Sequence, residues 1–156
     1  AMLKANKDGA FPYTPATNLL YGLREALLML EEEGLDKVFA RHDRFATATR
    51  NAVSAWGYEL LAQDDREYSS SLTAIVTPEG HDADNLRKVI LDRFDMSLGT
   101  GLGKVKGWSF RIGHLGDLND LTLMGTIAGV EMGLDLAGIP RSGSGVTAAM
   151  EHLSAG

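Results

Sequence analysis

The sequence has no cysteine, which removes disulfides, thiolate metal sites and cysteine nucleophiles together and leaves the redox compartment open. It has no run approaching the roughly 20 apolar residues that a membrane-spanning helix needs. Its start, Ala1 to Ala10, lacks the apolar centre and basic flank of a secretion signal, so a cytoplasmic protein is expected. Positive charge is scarce: 15 Lys and Arg stand against 21 Asp and Glu, a formal charge of −6. That balance offers no overall attraction to phosphate backbones or anionic lipid, and neither nucleic acid nor membrane is an expected partner. The four histidines, His42, His81, His114 and His152, include no helical two-ligand pair with an acidic neighbour, so no metal site is expected.

What remains is the profile of one globular domain: 156 residues, 44% hydrophobic and 23% charged, enough to bury one core and far from a disordered composition. From Thr17 to Gly34 the residues Leu19, Leu20, Leu23, Leu27 and Leu30 recur at helical spacing, with Thr14 or Thr17 as candidate cap. A second helical pattern runs from Asp36 to Gly57 after a sharp turn at Gly34 and Leu35. The period then changes. Tyr58 to Leu61 and Leu72 to Thr77 read as strands, His81 or Asp82 to Phe94 as a third helix, and Trp108 to His114 as a strand. In that last strand Trp108, Phe110 and Ile112 alternate with Ser109, Arg111 and Gly113, which turns Arg111 away from the Trp108 face. Asp117 opens what reads as the longest helix, ending near Ala137, and a short helical pattern covers Val146 to Leu153. Gly125, Gly129 and Gly133 fall every four residues along the long helix and predict close approach by another backbone. The fold class is therefore α/β, an α+β arrangement of helices covering one face of a small, mainly antiparallel or mixed sheet.

Few residues pass a chemical test. Gly99-Thr100-Gly101-Leu102-Gly103-Lys104 is not a phosphate loop of the Walker kind, because Val105 stands where Ser or Thr is required; a connection between strands is the better reading. The Ser69-Ser70-Ser71 run lacks the glycine pattern of a nucleophile elbow. His42 reads as a packed or surface residue. Arg111 differs, since an arginine in a strand with one strongly apolar face must reach solvent, join an internal ion pair, or hold a carboxylate or phosphate. Its planar fork suits a carboxylate bidentately. Spacing does not choose among these. Pro12-Tyr13-Thr14-Pro15 could likewise be only a rigid entry to the first helix.

Five separated blocks carry a resemblance: Phe11-Pro12-Tyr13-Thr14-Pro15-Ala16-Thr17, Leu23-Arg24-Glu25-Ala26-Leu27, Glu33-Gly34-Leu35, Gly101-Leu102-Gly103-Lys104 and Phe110-Arg111-Ile112-Gly113-His114-Leu115-Gly116. In order and approximate spacing, over nearly the whole chain, they resemble the class V aminotransferases of fold type I. The Arg-Ile-Gly-His-Leu-Gly run resembles the serine–glyoxylate and alanine–glyoxylate branch more than the cysteine desulfurases or phosphoserine aminotransferases. The resemblance implies a carboxyl-terminal part of a homodimeric enzyme that uses pyridoxal 5'-phosphate to move an amino group from serine or alanine to glyoxylate. Residues 1–34 would be a cofactor-contacting segment and connecting helix, and residues 35–156 the small domain. It implies that Arg111 holds the substrate's α-carboxylate. Thr14 would belong to the segment that contacts the cofactor phosphate from the neighbouring subunit. Tyr13 is the tyrosine of that segment here, whereas alanine–glyoxylate relatives carry theirs three residues before the threonine, at Phe11. The lysine that forms the Schiff base, the aspartate on the pyridinium nitrogen and the stacking aromatic would all lie upstream. None of Lys4, Lys7, Lys37, Lys88, Lys104 or Lys106 stands in the lysine's motif, so this chain alone is expected to be inactive. The first helix and the glycine-lined helix should then expose apolar surface. The alternative is a free-standing, non-catalytic module that binds small carboxylates or a protein partner through Arg111.

Overall fold

The computed structural model describes residues 1–155. They form six α-helices, α1 (Met2–Lys7), α2 (Thr17–Glu33), α3 (Leu35–Trp56), α4 (Ala83–Phe94), α5 (Asp120–Leu136) and α6 (Gly145–Ser154), and three strands, β1 (Leu72–Val76), β2 (Gly99–Thr100) and β3 (Ser109–Gly113). The chain divides into two compact units, Ala1–Val38 and Phe39–Gly156.

In the first unit the leucine periodicity does build α2, and Gly34 ends it with φ 86°, a left-handed value that a side chain would resist. No residue of α2 is buried. Leu19 is 75% exposed and Leu27 56%, which is the exposed apolar surface expected of this helix. Leu20, Leu23, Leu27 and Leu28 line a shallow groove with Arg24 and Glu31 at its rim.

The second unit holds the sheet, ordered β1-β3-β2 and antiparallel throughout. Each strand alternates, so Thr73 and Ile75 of β1 lie beside Ile112 and Phe110 of β3 on one face, all buried. That face, with Phe45, Val53 and Trp56 of α3, Leu86 and Ile90 of α4, and Leu123, Ile127 and Leu134 of α5, makes one core. Helix ends follow their side chains: Asp82 accepts from the Asp84 N–H at the start of α4, and Ser144 accepts from the Thr147 N–H at the start of α6.

Four expectations need correction. The Tyr58 to Leu61 strand is reduced to a single bridge between Leu60 and Ile75. The Trp108 strand begins one residue later, and Trp108 is 43% exposed with its indole N–H donated to the Lys104 carbonyl. Helix α5 starts at Asp120 because Asn119 and Thr122 form a capping box, each side chain serving the other's backbone N–H; at 17 residues it is shorter than the 22 of α3. Its glycines are spoken for within the chain. A Cβ on Gly133 would stand 2.3 Å from Ile90 Cγ1, and one on Gly129 would stand 2.7 Å from Met96 Cε, while Gly125 faces open space. Two of the three glycines thus admit side chains of α4 and its following turn, not an outside backbone.

Candidate functional site

The second face of the sheet carries the polar side chain that alternation predicts. Arg111 sits at the middle of β3, the central strand, with Ala74 of β1 and Gly99 of β2 as its cross-strand partners. Both neighbours are small, so nothing bulky stands beside the guanidinium. A Cβ on Gly99 would lie 3.0 Å from Arg111 Cβ and 3.1 Å from Nε, so the side chain lies close over β2. Nε donates to the Thr100 carbonyl at 2.9 Å. This anchor leaves Nη1 and Nη2 as a free pair of donors: among the described residues no acid forms an ion pair with Arg111. An internal ion pair is therefore not what the arginine is for. A half-buried, oriented and unpaired fork is a carboxylate or phosphate receptor in its chemistry.

The glycine-rich stretch is a tight link from β2 to β3, as the strand-connection reading requires. A Cβ on Gly101 would stand 2.2 Å from the Val105 carbonyl oxygen, so only glycine fits there. A cleft of about 310 Å³ opens at β1, lined by Arg50, Leu61, Tyr68, Leu72 and Ala74, and Arg111 is not among its lining residues. Arg111 leans the other way, toward Thr100.

Below the arginine, His114 is fully buried. Its ring contacts the Ser70 carbonyl through Nδ1 at 3.1 Å and Thr73 Oγ1 through Nε2 at 2.9 Å. A carbonyl only accepts, so Nδ1 carries the proton and Nε2 accepts from the threonine hydroxyl. Burial pushes the His114 pKa below the ordinary histidine value. Further along, Gly116 is clamped by α3: its N–H donates to His42 Nε2 at 3.1 Å, and its carbonyl accepts from Arg41 Nη1 at 2.9 Å. Of the packed and surface readings of His42, the first holds, at 8% exposure. Ser70 Oγ donates to Asp43 of the same helix. Sequence reasoning missed these partners, because they stand tens of residues apart and no local pattern joins them.

Tyr13 and Thr14 lie in the first unit, in the irregular segment between α1 and α2, and both are exposed. The Thr14 hydroxyl has no partner among the described residues, and the flanking Pro12 and Pro15 stiffen the backbone that presents it. Such a group fits a phosphate ligand. The lysines do not fit the covalent end of pyridoxal phosphate. All six are exposed, and Lys88 pairs with Asp92, whereas a lysine that attacks a carbonyl is desolvated or set beside another cation. No group of three or more potential metal ligands occurs among the described residues, and no helix among them is long and apolar enough to cross a membrane.

The chain is similar to known proteins over nearly its whole length. The chain is 51% identical over 96% of its length to a serine–glyoxylate aminotransferase of Methylorubrum extorquens, and 48% identical over 97% to one of Arabidopsis thaliana. It is 48% identical over 91% to an L-aspartate–glyoxylate aminotransferase of Paracoccus denitrificans. It spans 38%, 38% and 36% of those three proteins. Among solved structures, pyridoxamine–pyruvate aminotransferase of Mesorhizobium loti superposes on 93% of the chain with a TM-score of 0.85 and 32% identity, the chain covering 38% of it. No protein-family model matches the chain. The sheet and the helices packed on it are those of the carboxyl-terminal portion of class V pyridoxal-phosphate aminotransferases, and it is that portion which the chain matches.

Proposed function

We propose that this chain supplies the substrate-carboxylate anchor and part of the cofactor-phosphate site of a homodimeric aminotransferase that moves an amino group from serine to glyoxylate. The observation that carries this reading is the free Nη1 and Nη2 pair of Arg111, held by the Thr100 carbonyl on the open face of the sheet. The amino donors and acceptors in the relatives' names differ, yet serine, aspartate and glyoxylate all carry the α-carboxylate that such a fork would take. The two relatives described above as serine–glyoxylate enzymes favour serine as donor. Thr14, with Tyr13 beside it, reaches the cofactor phosphate of the partner subunit.

Pyridoxal phosphate, when bound, supplies the electron sink for bond making and breaking at the substrate's Cα. Arg111 fixes the carboxylate so that one Cα bond is held in the reactive orientation. The lysine that holds the cofactor comes from elsewhere in the whole protein, and the 156-residue chain does not transaminate alone.

In the full-length protein loaded with pyridoxal phosphate, Arg111→Ala should raise the KM for serine roughly 10- to 100-fold, the loss of two charge-assisted hydrogen bonds. A full-length protein that takes up no pyridoxal phosphate, or an Arg111→Ala variant with an unchanged KM, would leave the free-standing carboxylate-binding module as the better reading.

A further inference from the structure

We infer that His114 is a positioning residue for Arg111: with Thr73 and the Ser70–Ser71 backbone it pins the register of the strand that presents the guanidinium. The inference rests on the reading of Arg111 as the carboxylate anchor.

Side chains alternate along a strand, so a one-residue slip of β3 against β1 would bury Arg111 and turn Phe110 and Ile112 to the open face. The β1–β3 ladder runs from Leu72 opposite Gly113 to Val76 opposite Ser109, and β2 adds only two pairs. Arg111 thus depends on a short ladder, and the bonds at its end count for much.

His114 continues that ladder past Gly113. Its N–H donates to the Ser71 carbonyl at 2.9 Å, its Nδ1–H to the Ser70 carbonyl at 3.1 Å and its Nε2 accepts from Thr73 Oγ1 at 2.9 Å. Thr73 is itself paired to Ile112, so the ring bridges β3 to β1 across one residue pair. Shifted by one residue, none of these three bonds survives. The α3 clamp on Gly116 holds the next turn of chain in the same sense.

An apolar side chain of similar size would fill this space without setting a register, and it would leave the buried Thr73 hydroxyl short of a partner. The groups that act on the ring electrostatically are Arg50 and His42 of α3, and Asp43 of α3 bonds to Ser70. Burial foremost, and the Arg50 charge with it, oppose a charge on the ring, and Nε2 accepts from the Thr73 hydroxyl only when it carries no proton. The pin therefore works as a neutral imidazole.

The test uses the full-length protein loaded with pyridoxal phosphate and the variants His114→Gln and Thr73→Val. The second removes the hydroxyl with almost no change of shape, so it keeps the question open to measurement if the first variant fails to fold. Each should raise the KM for the amino donor roughly 3- to 10-fold, the scale of one lost hydrogen bond, with kcat within about twofold of the parent. Calorimetric titration with propionate, a carboxylate that cannot react, should show the same rise in Kd. The KM of the parent should also climb on the acid side of the ordinary histidine range, and His114→Gln should flatten that limb. Arg111→Lys separates the two ideas. If it leaves KM and propionate affinity unchanged, the anchor reading fails; if it raises both while His114→Gln and Thr73→Val lower only the melting temperature, Arg111 is the anchor and the positioning role of His114 is overturned.

Discussion

At the scale of single residues, the face of the sheet that Arg111 occupies follows from alternation alone, because Phe110 and Ile112 on either side of it could only point inward. Its task did not follow. An exposed arginine, an ion-paired one and a carboxylate anchor leave the same trace in a sequence, and the structure removes the second, since Nε is held by the Thr100 carbonyl and no acid among the described residues meets the fork. The same holds for His114, whose two ring partners come from positions 70 and 73. Its state makes a direct prediction. Nitrogen NMR of His114 should report the Nδ1–H tautomer at neutral pH and should still report it on acidification through the ordinary histidine pKa near 6.5, because burial holds the folded-state pKa below that value. A folded pKa below the unfolded one means that His114 lowers stability progressively as pH falls through the unfolded value, the unfolded chain then binding the proton more readily. Detection of a charged ring at pH 6.5 would contradict this.

Among the elements, α2, α3 and α4 were legible because apolar residues repeat over three or more turns, and β1 and β3 because β-branched and aromatic residues cluster between turn signals. The misreadings have physical causes. Trp108 looks like a core residue by hydrophobicity, but its indole N–H needs an acceptor and finds the Lys104 carbonyl at the surface. Asp117 reads as the start of α5, whereas the reciprocal bonds of Asn119 and Thr122 begin it at Asp120. The glycine spacing on α5 predicts close approach by another backbone, whereas at Gly133 it is the Ile90 side chain of α4, 43 residues away, that approaches. From this contact Gly133→Ala should destabilise the chain by about 1–3 kcal/mol, the cost of overpacking a dense core, despite the better helix propensity of alanine. Gly125→Ala, with nothing within 4 Å of the new Cβ, should instead be neutral or slightly stabilising. Urea denaturation of the two variants side by side checks the contrast, and equal effects would mean that propensity outweighs the Ile90 contact.

Across the whole molecule, the second unit is drawn together by one carboxylate. Glu131 of α5, 9% exposed, accepts from Trp56 Nε1 of α3 at 2.9 Å, from Ser144 Oγ at 2.9 Å and from the Val146 N–H at the start of α6 at 3.1 Å. Arg141 Nη1 stands 3.5 Å away. Burial alone would push its pKa up, but the hydrogen bonds from Trp56, Val146 and Ser144, with the Arg141 charge, outweigh burial and hold it below the ordinary glutamate value. A folded pKa below the unfolded one contributes stability above the unfolded glutamate pKa of about 4.3, and this is lost as pH falls through the folded value. Glu131→Gln should therefore lower stability at neutral pH by about 1.5–3 kcal/mol, the range for hydrogen bonds to a charged group. It should also flatten the acid decline of the denaturation midpoint, and a variant that tracks the parent at every pH would show that the charge contributes nothing. In the first unit, by contrast, Leu19, Leu20, Leu23, Leu27, Leu28 and Leu30 of α2 all face water. Ions excluded from apolar surface, sulfate above all, make such exposure more costly, so ammonium sulfate will salt the chain out early, through this helix together with exposed side chains elsewhere such as Leu115 and Leu121.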